Sequence, residues 1–351
     1  MPSVRKQRSA AAGDLPPILG RAARIEDGIQ EFREQWARRR GQVPTVIPYT
    51  GYGAPGWVRV LGRVLLTPKQ RSRRPSVRGW RSFTSVAVND VEVIVTVAGV
   101  QHRVHADRGG VVDARVPSEL PPGWHTITIR SDDPLAEDAP PAEAPIYVHD
   151  PASGFGIVSD IDDTVMVTAL PRPMLAAWNT FVLDEHARMA TPGMAVLYDR
   201  LKRQHPGSPI LYLSTGAWNV APTLTRFLSR NLYPPGPLLL TDWGPTHDRF
   251  FRSGREHKIE SLARLVDDFP DVKWLLVGDD GQHDEEIYGA FALAHPDRVA
   301  AVAIRQLSAG EAVLAGGRSK AENYAAKTAV PWVAANDGAG LAAELTKLGL
   351  L

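Results

Sequence analysis

Between Gly156 and Arg305 short apolar runs alternate with amphipathic stretches, and no other feature constrains the chain as much. The runs GIVSD (156–160), PILYLS (209–214), LLLT (238–241), VKWLLVGD (272–279) and VAAVAIR (299–305) have strand length and are rich in Val, Ile and Leu. Helical stretches near 193–203, 219–230, 257–268 and 283–294 come between them. Parallel strands need crossovers of about a dozen residues or more, usually a helix, and this spacing supplies them. The expectation is an α/β unit, with helices on both faces of a parallel sheet and ligands at the carboxyl ends of the strands.

The preceding residues read differently. From about Ile18 to Arg40, Ile25, Ile29, Phe32 and Trp36 recur at helical spacing against a charged opposite face, which predicts a helix. WVRVLGRVLL (57–66), VEVIVTV (91–97), VVDARV (111–116) and WHTITIR (124–130) are short alternating runs split by Gly, Pro and Asn-Asp turns. They predict a small antiparallel, sandwich-like all-β domain. Ser131–Pro145 is acidic, carries four prolines and reads as a semi-stiff linker. The expected division is a helical segment 1–43, a β domain 44–130, a linker 131–150, a catalytic domain 151–310 and a helical extension 311–351 ending in GLAAELTKLGLL.

Composition excludes several classes of function. A chain of 351 residues is long for one core, and a net charge of +1 argues against a dedicated nucleic-acid binder. With no cysteine, disulfides, zinc–thiolate sites and cysteine nucleophiles are ruled out. The start MPSVRKQRSAAAGDLPP is basic with no apolar stretch after it, so no secretory signal is expected. No run approaches about 18 uninterrupted apolar residues, so no transmembrane helix is expected. The expected location is the cytoplasm, with peripheral membrane contact left open.

The sharpest chemical feature is Asp160-Ile161-Asp162-Asp163-Thr164, directly after the apolar GIVS. Carboxylates this close repel unless a cation joins them, and hard oxygen ligands of this kind suit Mg²⁺. A solvated acidic turn or a helix cap is the plain alternative. Other strand ends also carry polar groups: Ser214 after PILYL, Lys258 in HKIESLARL, and Asp279, Asp280 and Asp284 in GDDGQHD. Singly, Ser214 could cap a helix, Lys258 could be a surface charge and Asp279 could end a strand. Their order and spacing together argue against that.

This set resembles the haloacid dehalogenase superfamily of phosphotransferases. Asp160, Asp162 and Thr164 match its Asp-x-Asp-x-Thr motif, Ser214 its second motif, Lys258 its third, and Gly278-Asp279 with Asp284 its fourth. Arg255 and Lys273 are nearby alternatives to Lys258. SDIDDTV, AAWNTF (176–181), TPGM (191–194), LYLSTGAWN (211–219), HKIESL and VGDDGQHDEEIY more closely resemble the actin-patch phosphatidate phosphatase catalytic-domain family. Gly216-Ala217-Trp218 departs from the Ser-Pro-Trp frequent in that family, and Asp280 stands where its members often carry Ser.

The resemblance implies a Rossmann-like, haloacid-dehalogenase-type sheet and a Mg²⁺-dependent phosphatase. Asp160 would form an aspartyl-phosphate, and Asp162 would protonate the leaving alcohol and then deprotonate water. Asp160, the main-chain carbonyl of Asp162, and Asp279 or Asp280 would hold the metal, with Asp284 behind them. Ser214 and Lys258 would bind phosphoryl oxygens, with Thr164, Thr215 and Arg172 as further substrate contacts. The expected substrate is phosphatidate or a related lipid phosphate; alternatives are a soluble phosphomonoester, or a non-catalytic lipid- or protein-binding module. An abandoned site would tolerate losing Asp160 or Asp162, and both are present.

Two segments bear on the substrate. The 165–190 insert is too short for a large cap domain and mixes apolar residues with Arg172 and Arg188, as a flap over an open site would. Trp178 and Phe181 within it read more simply as core. The run Lys69–Arg81 has six positive charges, no acid and an interleaved Trp80. It suits an anionic lipid surface, or equally a solvated loop; nucleic-acid binding is the weaker option.

Overall fold

The computed structural model describes residues 28, 31–69, 86–167, 189–241, 247–281, 283–314 and 326–351, with backbone alone for 247–253 and 314. The basic run beyond Lys69, Arg172 and the flap or core assignments of the insert, and the helix expected before residue 28 therefore lie outside the described residues. Residues 31–39 are helical (α1), as the periodicity predicts, yet Phe32 and Trp36 stand largely exposed on it.

The first eight strands are β1 (Gln42–Pro48), β2 (Gly51–Ala54), β3 (Gly56–Pro68), β4 (Glu92–Val97), β5 (Val100–His105), β6 (Val111–Ser118), β7 (Gly123–Ser131) and β8 (Ala142–Val148). They form one connected sheet in the order β1-β3-β2-β8-β7-β4-β5, with β6 also on β3. Every pairing is antiparallel except β2 with β8. Ala98 and Gly99, both at positive φ, make the two-residue β4–β5 turn, whose twist suits a hairpin. Val60, Val64, Val93, Val95, Ile129 and Ile146 share one apolar core beneath these strands.

The strands are all hydrogen-bonded into one connected, largely antiparallel sheet. One feature of this unit differs from the expectation. The stretch read as a linker contains β8, which sits centrally between β2 and β7. Its sequence AEAPIYV turns Ala142, Ala144, Ile146 and Val148 inward while Glu143 and Pro145 face out. One of the four prolines and one of the acids that suggested a linker, Pro145 and Glu143, occupy solvent-facing positions of this strand.

The second sheet comprises β9 (Phe155–Asp160), β12 (Ile210–Ala217), β13 (Leu238–Thr241), β14 (Lys273–Asp279), β15 (Val299–Arg305) and β16 (Trp332–Ala335). A small ribbon, β10 (Met166–Val167) with β11 (Met189–Ala190), leaves just after β9. The helices are α2 (Met194–Gln204), α3 (Ala221–Arg230), α4 (His247–Asp268), α5 (Asp284–Ala294), α6 (Ala309–Leu314) and α7 (Gly338–Lys347). All sheet neighbours are parallel in the order β13-β12-β9-β14-β15-β16, so the fold is mixed α/β. Chain order runs outward from β9 in both directions, and such a reversal opens a crevice at the carboxyl ends of the central strands. The extension expected to be helical contributes β16, an edge strand too short to show a period, before α7 packs.

The two sheets share side chains as well as a covalent link. Tyr49, Tyr52, Trp57, Leu61 and Leu65 belong to the same apolar cluster as Phe269 and Trp274. Phe269 is the hub, with ring centroids 5.7 Å from Tyr52, from Trp57 and from Trp274. No helix among the described residues is long and apolar enough to cross a membrane.

Candidate active site

The carboxyl end of β9 delivers the acidic motif. Asp160 is its last residue and is 1% exposed, because β12 and β14 flank it on either side. Asp163 then takes a left-handed conformation (φ 60°), unusual for a residue with a side chain and costing roughly 1–2 kcal/mol. The surroundings fix that turn: Asp163 N donates to Met166 O at 2.8 Å, and the buried Arg305 Nη1 donates to Asp163 O at 2.6 Å.

Lys258, on the inward face of α4, lies between two carboxylates. Its Nζ is 2.6 Å from Asp160 Oδ1 and 2.6 Å from Asp284 Oδ1. Burial alone would lower this ammonium, but the Asp160 and Asp284 charges outweigh it and hold the group above its ordinary value. Asp160 is pushed well up by burial, with Lys258 opposing and Asp284, Asp162 and Asp279 adding to the rise. Asp279 is likewise raised by burial and then by the Asp284 and Asp163 charges.

Asp160, Asp279 and Asp284 each bring one carboxylate oxygen within 4.8 Å of the others. Three carboxylates thus face one ammonium and carry an excess of negative charge. Asp160 Oδ2 is buried without a hydrogen-bond partner among the described residues. An all-oxygen, anionic set with an unsatisfied buried carboxylate oxygen has the donor chemistry of a Mg²⁺ site.

Asp280, which sequence alone could not separate from Asp279, lies outside this cluster. Its Oδ1 accepts from Leu307 N at 2.8 Å, whereas Asp279 Oδ1 accepts from Gly281 N at 2.6 Å. The Asp162 carboxylate is also outside it, the metal contact expected of this residue being its main-chain carbonyl: Ser214 Oγ donates to Asp162 Oδ2 at 2.9 Å and accepts from Gly216 N at 3.0 Å. Thr164 is fully buried with no hydrogen-bond partner for its hydroxyl among the described residues, and Thr215 is half-buried beside Ser214. Of the two alternatives to Lys258, Arg255 pairs with Glu286 at 2.6 Å and Lys273 starts β14, at the far end of the sheet.

Two contributors escaped the sequence reading. Arg305 ties Asp163 O to Asn336 O and Glu311, and residues 305–307 also bond Asp280 through Arg305 O and Leu307 N. Its signal was a charge closing the apolar run VAAVAI. Thr241 Oγ1 donates to Thr215 O at 3.0 Å and Gly216 O at 3.3 Å, bracing the second loop from β13; a threonine at a strand end carries no such signal.

Comparison with known proteins gives one family match and two curated relatives. Residues 155–306 match the family described as "Phosphatidate phosphatase APP1, catalytic domain". Over 176 residues the chain is 29% identical to Phosphatidate phosphatase APP1 of Saccharomyces cerevisiae, covering 49% of this chain and 28% of that protein. Over 156 residues it is 24% identical to an uncharacterized protein of Schizosaccharomyces pombe, covering 44% of this chain and 26% of that protein. The chain thus spans about a quarter of the length of these curated relatives. Among solved structures, a carbohydrate acetylesterase from Xanthomonas citri matches at 10% identity and a TM-score of 0.29, covering 78% of this chain and 73% of that one, which is too low to show a shared fold.

Proposed function

From the match of residues 155–306 to the family described as phosphatidate phosphatase APP1, catalytic domain, we propose that this chain is a Mg²⁺-dependent phosphoric monoester hydrolase acting on phosphatidate or a related lipid phosphate. The arrangement belongs, on this reading, to the haloacid dehalogenase class of phosphatases. The observation that carries the reading is Asp160, buried at a strand tip with one oxygen on Lys258 and the other without a hydrogen-bond partner.

Asp160 attacks phosphorus through a carboxylate oxygen; the new O–P bond forms as the bond to the leaving oxygen breaks. Asp162 gives its proton to that oxygen, releasing the alcohol. It then takes a proton from water, whose oxygen attacks the aspartyl-phosphate and frees Asp160 with inorganic phosphate. Asp160 must therefore be ionised while Asp162 is protonated; burial works against the first condition by raising the Asp160 carboxyl, and the Lys258 charge beside it opposes that rise. Lys258 and Ser214 bind the remaining phosphoryl oxygens and absorb charge as it shifts. Asp160, Asp279 and Asp284 would hold Mg²⁺, which when bound offsets the repulsion between an anionic nucleophile and an anionic ester.

The test is phosphate release from phosphatidic acid vesicles and from a water-soluble monoester, each with Mg²⁺ and with EDTA. The expected result is release from both, faster from the lipid, and abolished by EDTA. Release from the soluble ester alone removes the lipid assignment, and no release from either removes the phosphatase.

A further inference from the structure

The β unit reaches into the loop that carries Ser214. Beyond β12 the chain forms a single tight turn, Trp218–Val220, before α3 begins. Tyr49, between β1 and β2, stacks on Trp218 with centroids 4.8 Å apart and planes 15° apart. Its Oη donates to Trp218 O at 3.2 Å. Arg63, on β3, fixes its own Nε on Gly109 O at 2.9 Å and donates through Nη1 to Asn219 Oδ1. Tyr49 is itself anchored, its N donating to Leu61 O at 3.0 Å.

These contacts bear on reactive groups through a short chain of bonds. Gly216 N, two residues before Trp218, donates to Ser214 Oγ, and Ser214 Oγ donates to Asp162 Oδ2. Thr241 grips the same loop from the opposite side, at Thr215 O and Gly216 O. The 214–219 loop is thus clamped between β13 and the β unit. The clamp is not the sole link between the two units, because Tyr52 and Trp57 also pack on Phe269, with Asp268 against Arg59.

We propose that Tyr49 and Arg63 are positioning residues for the phosphate-binding loop, so that the β unit is a working part of the phosphatase site. The inference rests on the phosphatase reading and adds to it a role for residues outside the 155–306 match. A displacement of about 1 Å at a reacting group can cost as much as ~10²-fold in rate, so even a modest slackening of this loop is measurable.

The test compares full-length wild type, Tyr49→Leu, Tyr49→Phe, Arg63→Met and, as an interface control, Arg264→Gln. Inorganic phosphate binding is read by calorimetry, kcat and KM are read on a soluble aryl phosphate, and the melting temperature is read separately. Tyr49→Leu and Arg63→Met should bind phosphate about 10-fold more weakly, with the loss appearing in KM before kcat. Tyr49→Phe keeps the stack and should remain within about 3-fold of wild type. Arg264→Gln should bind phosphate as wild type does.

Folded Tyr49→Leu and Arg63→Met with wild-type phosphate affinity overturn the proposal. So do losses that merely follow the melting temperature across all variants, Arg264→Gln included. Should Tyr49→Leu fail to fold, Arg63→Met decides by the same readout. A wild type that binds phosphate without turnover refutes the phosphatase reading, and the clamp is still decided by binding; a wild type that binds no phosphate refutes both.

Discussion

Among the described residues, the clusters of acid and base at the junction of the two sheets and at the tip of β9 have opposite charge balances. At the junction of the two sheets, Asp268 is a single carboxylate among donors. Its Oδ2 accepts from Tyr52 Oη at 3.0 Å and lies 3.4 Å from Arg59 Nε, and its Oδ1 accepts from Arg115 Nη1 at 3.4 Å. Both carboxylate oxygens are satisfied and positive charge is in excess, the unmet group here being a donor, Arg59 Nε. At the tip of β9 the balance is reversed, with three carboxylates around Lys258 and Asp160 Oδ2 unpaired among the described residues. Each unmet buried group costs about 1–3 kcal/mol, and of these two clusters only the one at the tip of β9 leaves a carboxylate oxygen unmet in an excess of negative charge. The cluster left short of positive charge is the one with somewhere to put a ligand.

The largest effect should come from removing that imbalance. Asp160→Asn takes away the nucleophile and one of the crowded negative charges while keeping the shape. Turnover should fall at least about 10⁴-fold, as for nucleophile deletions generally, while the melting temperature in metal-free buffer holds or rises. A folded Asp160→Asn enzyme that still hydrolyses a phosphoester in Mg²⁺ breaks the contrast, because the open cluster would then not be the reactive one.

The converse change belongs at the junction. Asp268→Ala strips one carboxylate from Arg59, whose side chain is 14% exposed and keeps Asp113, and the partner from the Tyr52 hydroxyl. Breaking a buried pair from one side costs about 3–5 kcal/mol, here toward the low end because Arg115 is half exposed and can turn to water. Denaturant titration should show this loss, while kcat/KM per folded molecule stays at the wild-type level. A variant that is stable but inactive would mean that the two clusters are coupled.

The site was more legible than the scaffold around it, for a physical reason. Asp160, Ser214 and Asp279 each lie at or beside the carboxyl end of an apolar run, where a polar residue has no packing role to disguise it. Choosing Asp279 over Asp280 was beyond the sequence: neighbouring residues of one type differ only in which way they face, and the bond from Leu307 N that claims Asp280 comes from another strand end. β8 was hidden because its outward positions hold glutamate and proline, and β16 because four residues show no period. The clamp at Trp218 joins residues 169 positions apart in sequence, which no local pattern announces.

Acid should separate the two ends of α4 next. His257, adjacent to Lys258, is half-buried against β13, and desolvation lowers its imidazole to about 4 from 6.5, with a bond to Leu239 O opposing and the Arg264 and Lys258 charges assisting. A folded value below the ordinary one means that this contribution to stability is intact above pH 6.5 and is lost as the pH falls through about 4. The full loss is on the order of 3 kcal/mol. Stability curves of wild type and His257→Gln should converge between those limits, the variant being flatter; parallel curves would show that His257 is not the group titrating.

The smallest effect should be at the rim of the junction, where Arg264 Nη1 meets Asp113 Oδ2 at 2.7 Å with side chains 36% and 30% exposed. Asp113 also receives Arg59 Nη1 at 2.7 Å, so losing Arg264 does not leave the carboxylate alone. An exposed pair of this kind contributes about 0.2–1 kcal/mol, and salt screens most of it. Arg264→Gln should therefore cost little in dilute buffer and nothing measurable at about 1 M salt, where the Debye length is about 3 Å. A loss comparable to that of Asp268→Ala, persisting in salt, would show that the junction is held by its charged rim rather than by the satisfied carboxylate and the aromatic hub beneath it.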